Sequence, residues 1–350
     1  MTADAPECAG GTPFHDLNDY IAIPRLTGLR LSPDGSWLAA TVQSLSADKK
    51  KYVTSIWRID TAGGPPARLT RSAEGEGSPC FLPDGALLFT SKRPDPERKD
   101  GKQDAEDSGT ALWLLPPGGG EARPVAALPG GISGVETAAS ANAIVLTASA
   151  LPGAAEQDEQ RRKARKDAGV TAILHETLPV RYWDHDLGPD DLRLFAVTDS
   201  AGSTGNAPMD LTPEAGRALD GQEPALSPDG SVIATGWWHW RGSVQAYSEL
   251  VSIDVATGQR TSISGDGDTA SEPSFDYYDP EFAPDGNRIV CSRAAHDAPD
   301  SPGDSTLVLF PGGTDLLPGF DRWPAGPVWN PNGAIVYFTA DDNGRRPVFA

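Results

Sequence analysis

The segment Leu31-Ser-Pro-Asp-Gly35, together with the hydrophobic run from 36 to 42 that follows it, decides the fold because it recurs along this 350-residue chain. Each copy places an apolar residue two positions before the proline of a Pro-Asp-Gly or Pro-Asn-Gly turn and a strand-like run after the turn. The turn prolines lie at positions 33, 83, 228, 284 and 331, so three of the four gaps are 50, 56 and 47 residues. A fixed period of this size is typical of a repeat architecture.

The turn chemistry predicts a β-hairpin in every copy. Proline presets the backbone angle at the second turn position, aspartate bonds to its own backbone, and glycine accepts a positive φ. A third strand-like run and a short fourth one follow each hairpin, as in 250–254 and 260–263. Four antiparallel strands in about 50 residues form a propeller blade, so the sequence predicts an all-β propeller of four-stranded antiparallel blades.

The gap between Pro83 and Pro228 is long enough to hide a decayed copy. The segment 134–149 fits, with Ser140-Ala-Asn142 in place of Pro-Asp-Gly. Blade three then carries an insertion, in which the charged, proline-free run 156–168 predicts a short helix. The preferred interpretation is a solvated helix at the rim; the alternative is a partner-binding arm. A second charged stretch, 93–108, is interpreted as a mobile loop of blade two.

Six blades are recognisable, and the sixth is incomplete, because the chain stops inside its predicted third strand. The predicted organisation is an N-terminal arm over 1–27 and a truncated propeller of WD40-like repeats over 28–350. An open ring leaves unpaired strand edges, and we therefore expect further chain beyond residue 350.

Composition narrows the function classes. The formal net charge of −20 argues against nucleic acid, which requires clustered Lys and Arg. No stretch approaches 18 consecutive apolar residues, and the N-terminus lacks the features of a signal peptide. We therefore expect a cytoplasmic protein without a membrane span. Cys80 and Cys291 lie in strand-like runs and are interpreted as small buried hydrophobes.

The motifs of common chemistry are missing from the sequence. It contains no G-x-S-x-G nucleophile elbow, no H-E-x-x-H, no clustered His and Cys, and no phosphate-binding glycine loop. The turn-like string 341–344 lacks the downstream glutamate of a helix-loop-helix calcium site. We expect no catalytic residue, no cofactor and no metal in this chain.

Two groups of residues are candidates for contact with a substrate. The first lies in Pro179-Val-Arg-Tyr-Trp-Asp-His-Asp186, just after the charged run, and comprises Arg181, Trp183 and Asp184. Its structural interpretation is a corner in which Trp183 packs under the insertion and Arg181 pairs with Asp184. The second comprises Glu223 and Asp279, each of which precedes a proline and the predicted first strand of a blade. The preferred interpretation is solvated turn carboxylates; the alternative is that they line a central channel.

The Ser-Pro-Asp-Gly blades, the string from Pro179 to Asp184 with Arg193-Leu-Phe-Ala-Val197 after it, and Phe338–Gly344 together resemble a known family. They are similar to the N-terminal propeller of S9-family serine peptidases, in the prolyl oligopeptidase clan. The acylaminoacyl-peptidase and dipeptidyl-peptidase 5 branch is the most similar. The resemblance covers essentially the whole chain and implies a seven-bladed propeller that caps a C-terminal α/β-hydrolase domain.

The resemblance implies a gate that admits oligopeptides to a Ser-Asp-His triad lying beyond residue 350. This chain should then be inactive alone, with peptides and its own hydrolase domain as partners and a homo-oligomer as a further possibility. No Glu-Glu pair matches the amino-terminus site of some relatives, so specificity stays open. The alternative is a stand-alone TolB-like propeller that acts as a protein-interaction module.

Overall fold

The computed structural model describes residues 14–94, 109–175, 178–197, 207–241, 245–265, 275–296, 300 and 302–350. Within these ranges the chain forms a six-bladed β-propeller, which confirms the predicted fold class. A short helix α1 (Leu17–Ala22) precedes the first blade, and a second helix α2 (Asp158–Asp167) follows a 3-10 turn in blade three. The charged stretch 93–108, from position 95 onward, lies outside the described residues.

Five blades contain four antiparallel strands each, and the sixth contains three. Blade one comprises β1 (Arg25–Leu31), β2 (Trp37–Leu45), β3 (Tyr52–Asp60) and β4 (Ala67–Arg68); blade two comprises β5 (Glu76–Phe81), β6 (Leu87–Ser91), β7 (Ala111–Leu115) and β8 (Arg123–Ala126). Blade three comprises β9 (Ile132–Thr137), β10 (Ile144–Ala150), β13 (Asp191–Val197) and β14 (Met209–Asp210), with a separate hairpin of β11 (Arg181–Tyr182) and β12 (His185–Asp186). Blade four comprises β15 (Ala225–Leu226), β16 (Val232–Arg241), β17 (Gln245–Asp254) and β18 (Arg260–Ser262). Blade five comprises β19 (Phe275–Phe282), β20 (Ile289–Ala295), β21 (Ser305–Phe310) and β22 (Thr314–Asp315), and blade six comprises β23 (Pro324–Trp329), β24 (Val336–Ala340) and β25 (Val348–Phe349). Since β1 begins at Arg25, the propeller starts slightly before the predicted boundary at 28.

The Pro-Asp-Gly turns close the hairpins as the sequence predicts. In blade one the Ser32 amide donates to the Trp37 carbonyl at 2.9 Å, and Gly35 has a φ of 71°. The Asp34 carboxylate accepts from the Ser32 hydroxyl at 2.6 Å and from the Ser36 amide at 3.0 Å. These hydrogen bonds stabilise the charged form and lower the pKa of Asp34 to about 2.

The decayed turn in blade three lies one residue earlier than the sequence alignment placed it. The Ala138 amide donates to the Ala143 carbonyl at 3.1 Å, as the Ser32 amide does to Trp37. Ala139–Ala141 therefore occupies the position of Pro33–Gly35, whereas the sequence pointed to Ser140–Asn142. With proline, aspartate and glycine all replaced, local turn chemistry gave no signal for the register.

Five apolar clusters hold the blades together, and each lies between two consecutive blades. The cluster of blades one and two, for example, joins Ile56 to Phe89 and Trp113, all fully buried. Cys80 and Cys291 are buried free thiols in two of these clusters, as predicted. Burial of apolar area at about 25 cal/mol per Å² makes these contacts the main stabilising contribution.

The boundary between blade six and blade one differs from the other five. Among the described residues no apolar cluster joins these two blades. Leu26 and Leu31 of blade one and Val328, Ile335 and Tyr337 of blade six are exposed. Apolar packing therefore does not close the ring within the described part of the chain.

Candidate functional site

A channel runs along the axis of the propeller and has a cavity volume of about 1250 Å³. Residues from the first strand of all six blades line it. Each first strand lies at one end of the strand order of its sheet, so it contributes an edge to the axis. The turn geometry of each repeat therefore decides which side chains reach the channel.

Arg30, Glu136 and Glu281 occupy the same position in blades one, three and five, and all three line the channel. Each lies two residues before the amide that closes its hairpin, namely that of Ser32, Ala138 or Ala283. Equivalent positions in a propeller lie at one level along the axis, so one guanidinium and two carboxyl groups share that level.

Glu223 and Asp279, for which the sequence interpretation preferred solvated turns, also line the channel. They occupy a second shared position, two residues before the first. In blade five this position is in a β-bulge between Tyr278 and Glu281, and Asp279 has a φ of 48°. Because a bulge redirects the side chain of its strand, this geometry turns the Asp279 carboxyl away from the regular ladder.

Burial and mutual repulsion perturb the channel carboxyls. Burial raises the pKa of Glu136 to about 7, the charges of Glu281 and Glu223 add to the rise, and Arg30 opposes it. Burial likewise raises the pKa of Glu281 to about 7, again against Arg30. The pKa of Asp279 is raised by burial and then by Glu223. Among the described residues no cation lies within salt-bridge distance of these carboxyl groups.

Hydroxyl groups and glycines dominate the channel wall on blades one to three. The hydroxyl residues there are Thr27, Thr41, Thr54, Ser78, Ser133, Thr137 and Thr147. Thr41 is only 6% exposed, and its hydroxyl has no hydrogen-bond partner among the described residues. The channel contains one further cation, Arg346, whose Nε donates to the Thr339 hydroxyl at 3.2 Å.

The other predicted group lies on the β11–β12 hairpin, and none of its three members is among the residues that line the channel. Trp183 is at the hairpin turn, with a φ of 45° and a side chain 96% exposed, so it does not pack under the insertion. Arg181 pairs with Asp186 at 3.5 Å and not with Asp184, which contacts His185 at 3.1 Å. The structural interpretation of this string was therefore wrong in both contacts. Because a two-residue strand aligns Arg181 with Asp186, Asp184 is left in the turn.

Only the exposed part of α2 matches the predicted solvated helix, because its first turn is docked against blade three. Asp158 is buried, accepts from the Leu151 amide at 3.1 Å, and pairs with Arg162 at 3.0 Å. Arg162 also pairs with Asp190 at 2.9 Å. These contacts fix the start of the helix to the strands that flank the insertion.

A buried arginine completes this attachment. Arg193 is 1% exposed, pairs with Asp210 at 2.9 Å, and donates to the carbonyls of Gly153 at 2.9 Å and Leu151 at 3.3 Å. It thereby joins the third and fourth strands of blade three to the entry of the insertion.

Trp237 and Trp238, in the string Trp237-Trp-His-Trp240, pack within the protein. Trp237 is buried with the Arg260 guanidinium 4.2 Å from its ring centroid. The Trp238 indole donates to the Asp220 carbonyl at 3.1 Å. Trp240 is the exposed member of this string.

The described ranges contain no group of three or more His, Cys, Asp or Glu side chains arranged to hold a metal ion. No helix in the same ranges is long and apolar enough to span a bilayer. The 341–344 string forms a hairpin turn, in which Asn343 and Gly344 have φ values of 48° and 74°. That is the backbone of a tight β-turn.

Sequence reasoning missed Arg30, Glu136 and Glu281 as channel residues. The available signal was position, since Arg30 and Glu281 each lie three residues before the turn proline of their copy. Glu136 gave no such signal, because its turn has lost the proline and was aligned one residue out of register.

The fold and the site together define the class of this protein as a six-bladed β-propeller with carboxyl groups along its axial channel. No protein-family model matches the chain. It is 27% identical over 152 residues, 43% of its length, to an uncharacterized peptidase YuxL of Bacillus subtilis. It is 23% identical over 295 residues, 80% of its length, to a dipeptidyl-peptidase 5 of Porphyromonas endodontalis.

Among solved structures, the acylaminoacyl peptidase of Pyrococcus horikoshii matches 93% of the chain with a TM-score of 0.65 and 13% sequence identity. The propeller therefore has the fold found in acylaminoacyl peptidase, and its sequence relatives carry peptidase names. The chain spans 21% and 38% of the two sequence relatives and 44% of the solved peptidase.

Proposed function

We propose that this chain is the propeller module of an S9-type serine peptidase and controls the access of peptides to a catalytic domain outside residues 1–350. One observation carries the proposal. The fold similarity to Pyrococcus horikoshii acylaminoacyl peptidase takes in 93% of this chain but only 44% of the peptidase. The two curated relatives, both with peptidase names, are likewise covered only in part.

The channel supports a role in access. Buried apolar clusters hold five of its six blade boundaries together, so a folded protein domain could not enter between those blades without separating them. A cavity of about 1250 Å³ is larger than the roughly 300–1,000 Å³ of small-molecule pockets. An extended or unfolded peptide fits such a passage.

The nucleophile of the proposed reaction is assigned to the separate catalytic domain, because no G-x-S-x-G string occurs in the 350 residues. Peptides and that hydrolase domain are the proposed partners. A seventh blade between blades six and one belongs to the same proposal, supported by the exposed apolar residues on both sides of that boundary. The homo-oligomer and the cytoplasmic location stay predictions.

The proposal is tested by reading the gene beyond codon 350 and by labelling the products with a fluorophosphonate, which modifies activated serines. We expect a G-x-S-x-G string downstream, labelling of the longer product, and hydrolysis of acyl-peptide or dipeptidyl chromogenic substrates. The 350-residue chain should neither label nor hydrolyse. Activity of that chain alone, or a stop codon directly after Ala350, would contradict the proposal and favour the stand-alone module.

A further inference from the structure

The charged groups of the channel do not balance. Within the described part of the chain, four carboxyl groups line it, those of Glu136, Glu223, Asp279 and Glu281, and two guanidinium groups do so, those of Arg30 and Arg346. The Nε–H of Arg346 donates to the Thr339 hydroxyl. The charge of Arg30 opposes the rise in the pKa of Glu136 and of Glu281, but Arg30 lies outside salt-bridge range of both. Glu136, Asp279 and Glu281 are half-buried, and a carboxylate that is partly withdrawn from water without a counter-charge is destabilised. A cation that entered the channel would relieve that cost.

A second observation points to a ligand with hydrogen-bonding groups. Thr41 is one of the residues that line the channel, and its buried hydroxyl has no partner among the described residues, although buried hydroxyls are normally satisfied. It lies beneath Gly28, 3.6 Å from where a Cβ on that glycine would stand. No side chain of residue 28 therefore covers it, and a peptide N–H or C=O that packed against Gly28 would be the nearest partner for this hydroxyl.

The shape of the site favours a peptide over a small cation. Three blades have a glycine at the position that Glu223 and Asp279 occupy in blades four and five, namely Gly28, Gly134 and Gly326. The channel wall therefore has no side chains at that position on three blades. First strands such as β19, with eight residues, extend roughly 25 Å. That length accommodates several residues of an extended chain.

We propose that the axial channel binds the ammonium or guanidinium groups of an extended peptide through Glu136, Glu281, Glu223 and Asp279, and so selects cationic over anionic peptides. The inference deepens the proposed function, because such a peptide would be the substrate in transit. The binding itself needs no catalysis and is measured on the 350-residue chain.

The test uses octapeptides that carry a neutral dye and are followed by fluorescence anisotropy. One has blocked ends and two internal lysines, one has acetyl-lysine at those positions, one has glutamate there, and one has a free amino terminus and no lysine. We expect the lysine peptide to bind about tenfold more tightly than the acetyl-lysine peptide, and the glutamate peptide to bind most weakly. The fourth peptide distinguishes a site for the amino terminus from a site for side chains.

Variants separate the channel from the general negative charge of the chain. The double variant Glu136→Gln, Glu281→Gln should weaken lysine-peptide binding about tenfold, whereas Glu121→Gln, an exposed acid outside the channel, should leave it unchanged. Arg30→Gln removes an opposing cation and should tighten binding. This opposite sign keeps the test informative even where the double variant folds poorly, since loss of structure cannot increase affinity.

The pH dependence of the affinity for the lysine peptide is an independent test of the proposal. The groups that face Glu136 and Glu281 are Arg30 on β1, Cys80 on β5, Glu223 before β15, Asp279 on β19 and Arg346 before β25. No histidine is among the described channel residues. Since both carboxyls lose their protons near pH 7 and lysine stays charged, affinity should rise several-fold from pH 6 to pH 8.

Two results would overturn the inference: equal affinity for the lysine, acetyl-lysine and glutamate peptides, or lysine selectivity that Glu121→Gln reduces as much as the channel variants do. Binding of Na⁺ or Mg²⁺ in place of peptide, seen as complete competition at millimolar concentrations, would also overturn it. These outcomes are separate from the failure of the proposed function, which is decided by the downstream gene and by fluorophosphonate labelling.

Discussion

Blade three and the axial channel both withdraw charged groups from water, fully for Arg193 and partly for Glu136 and Glu281, but only blade three gives its charge a partner. At the base of the blade-three insertion, buried Arg193 has Asp210 and two backbone carbonyls as partners. In the channel, Glu136 and Glu281 have no cation in salt-bridge range among the described residues, and the pKa of each is raised to about 7. A charge that is paired within the protein fixes the strands that carry the pair, whereas a charge without a partner is available to bind a ligand of opposite charge.

The largest effect should come from removing a partnered charge. Arg193→Met keeps much of the side-chain volume but leaves Asp210 and the carbonyls of Gly153 and Leu151 without their donor. Loss of one member of a buried pair costs about 3–5 kcal/mol, so we expect the free energy of unfolding in urea to fall by that amount. Limited proteolysis should cut the 150–190 segment first.

Arg58→Met serves as the control, because Arg58 forms an ion pair with Asp60 that is largely exposed. Such pairs contribute about 0–1 kcal/mol. Equal destabilisation by the two substitutions would mean that the blade-three network is no more than a surface feature.

Removing an unpartnered charge should have the opposite sign. The carboxyls of Glu136 and Glu281 have a pKa of about 7 in the folded chain, against an ordinary 4.5. Between pH 4.5 and 7 the folded chain retains protons that the unfolded chain has released, so these groups lower stability as the pH rises through that window. Below pH 4.5 they contribute nothing.

Glu136→Gln and Glu281→Gln should therefore each raise the free energy of unfolding at pH 8 by about 1–3 kcal/mol, after allowance for partial exposure to the channel. At pH 4 the variants and the parent should unfold alike. Urea titrations at both pH values measure the difference. A stabilisation that is equal at the two pH values would show that ionisation of these carboxyls is not its cause.

The contrast between the two regions also explains what the sequence could predict. The repeat of Pro-Asp-Gly turns defines the blades, because each turn residue acts locally through φ or a hydrogen bond to its neighbour. The channel was the alternative interpretation for Glu223 and Asp279, because each precedes a proline and a predicted first strand. Glu223 does precede β15, whereas Asp279 lies inside β19, at its bulge. Arg193 and Glu136 were not recognised, since their roles depend on partners from other strands or other blades.

The contacts predicted for the string from Pro179 to Asp186 were wrong for the same reason. Trp183 was expected to be buried because large aromatics usually pack, but a two-residue hairpin with a positive φ at position 183 directs it to solvent. A pairing of Arg181 with Asp184 was plausible from spacing alone. Strand register instead placed Asp186 opposite Arg181.

Thr41→Val tests the same comparison, between polar groups with and without a partner, on an uncharged group of the channel. The Thr41 hydroxyl is buried without a partner among the described residues, so an isosteric methyl should be neutral or stabilising by up to about 1 kcal/mol. Thr70→Val is the matched control, because the Thr70 hydroxyl donates to buried Glu76 at 2.9 Å and accepts from the Ile56 amide at 2.9 Å. It should destabilise by about 1–3 kcal/mol. If thermal unfolding gave both substitutions the same cost, Thr41 would have a structural partner after all.

The smallest effect on stability is expected at Trp183, and it separates the two predicted contact groups. Its side chain is 96% exposed, so Trp183→Ala should change the free energy of unfolding by less than about 0.5 kcal/mol. In the lysine-peptide assay, Trp183→Ala should weaken binding if the β11–β12 hairpin contacts the peptide and should leave it unchanged otherwise. The channel variants should change the affinity whether or not the hairpin takes part. Weaker binding with unchanged stability would make Trp183 a contact residue at the rim. Unchanged binding would confine recognition to the channel carboxyls, and a marked loss of stability would contradict the exposed position of the side chain.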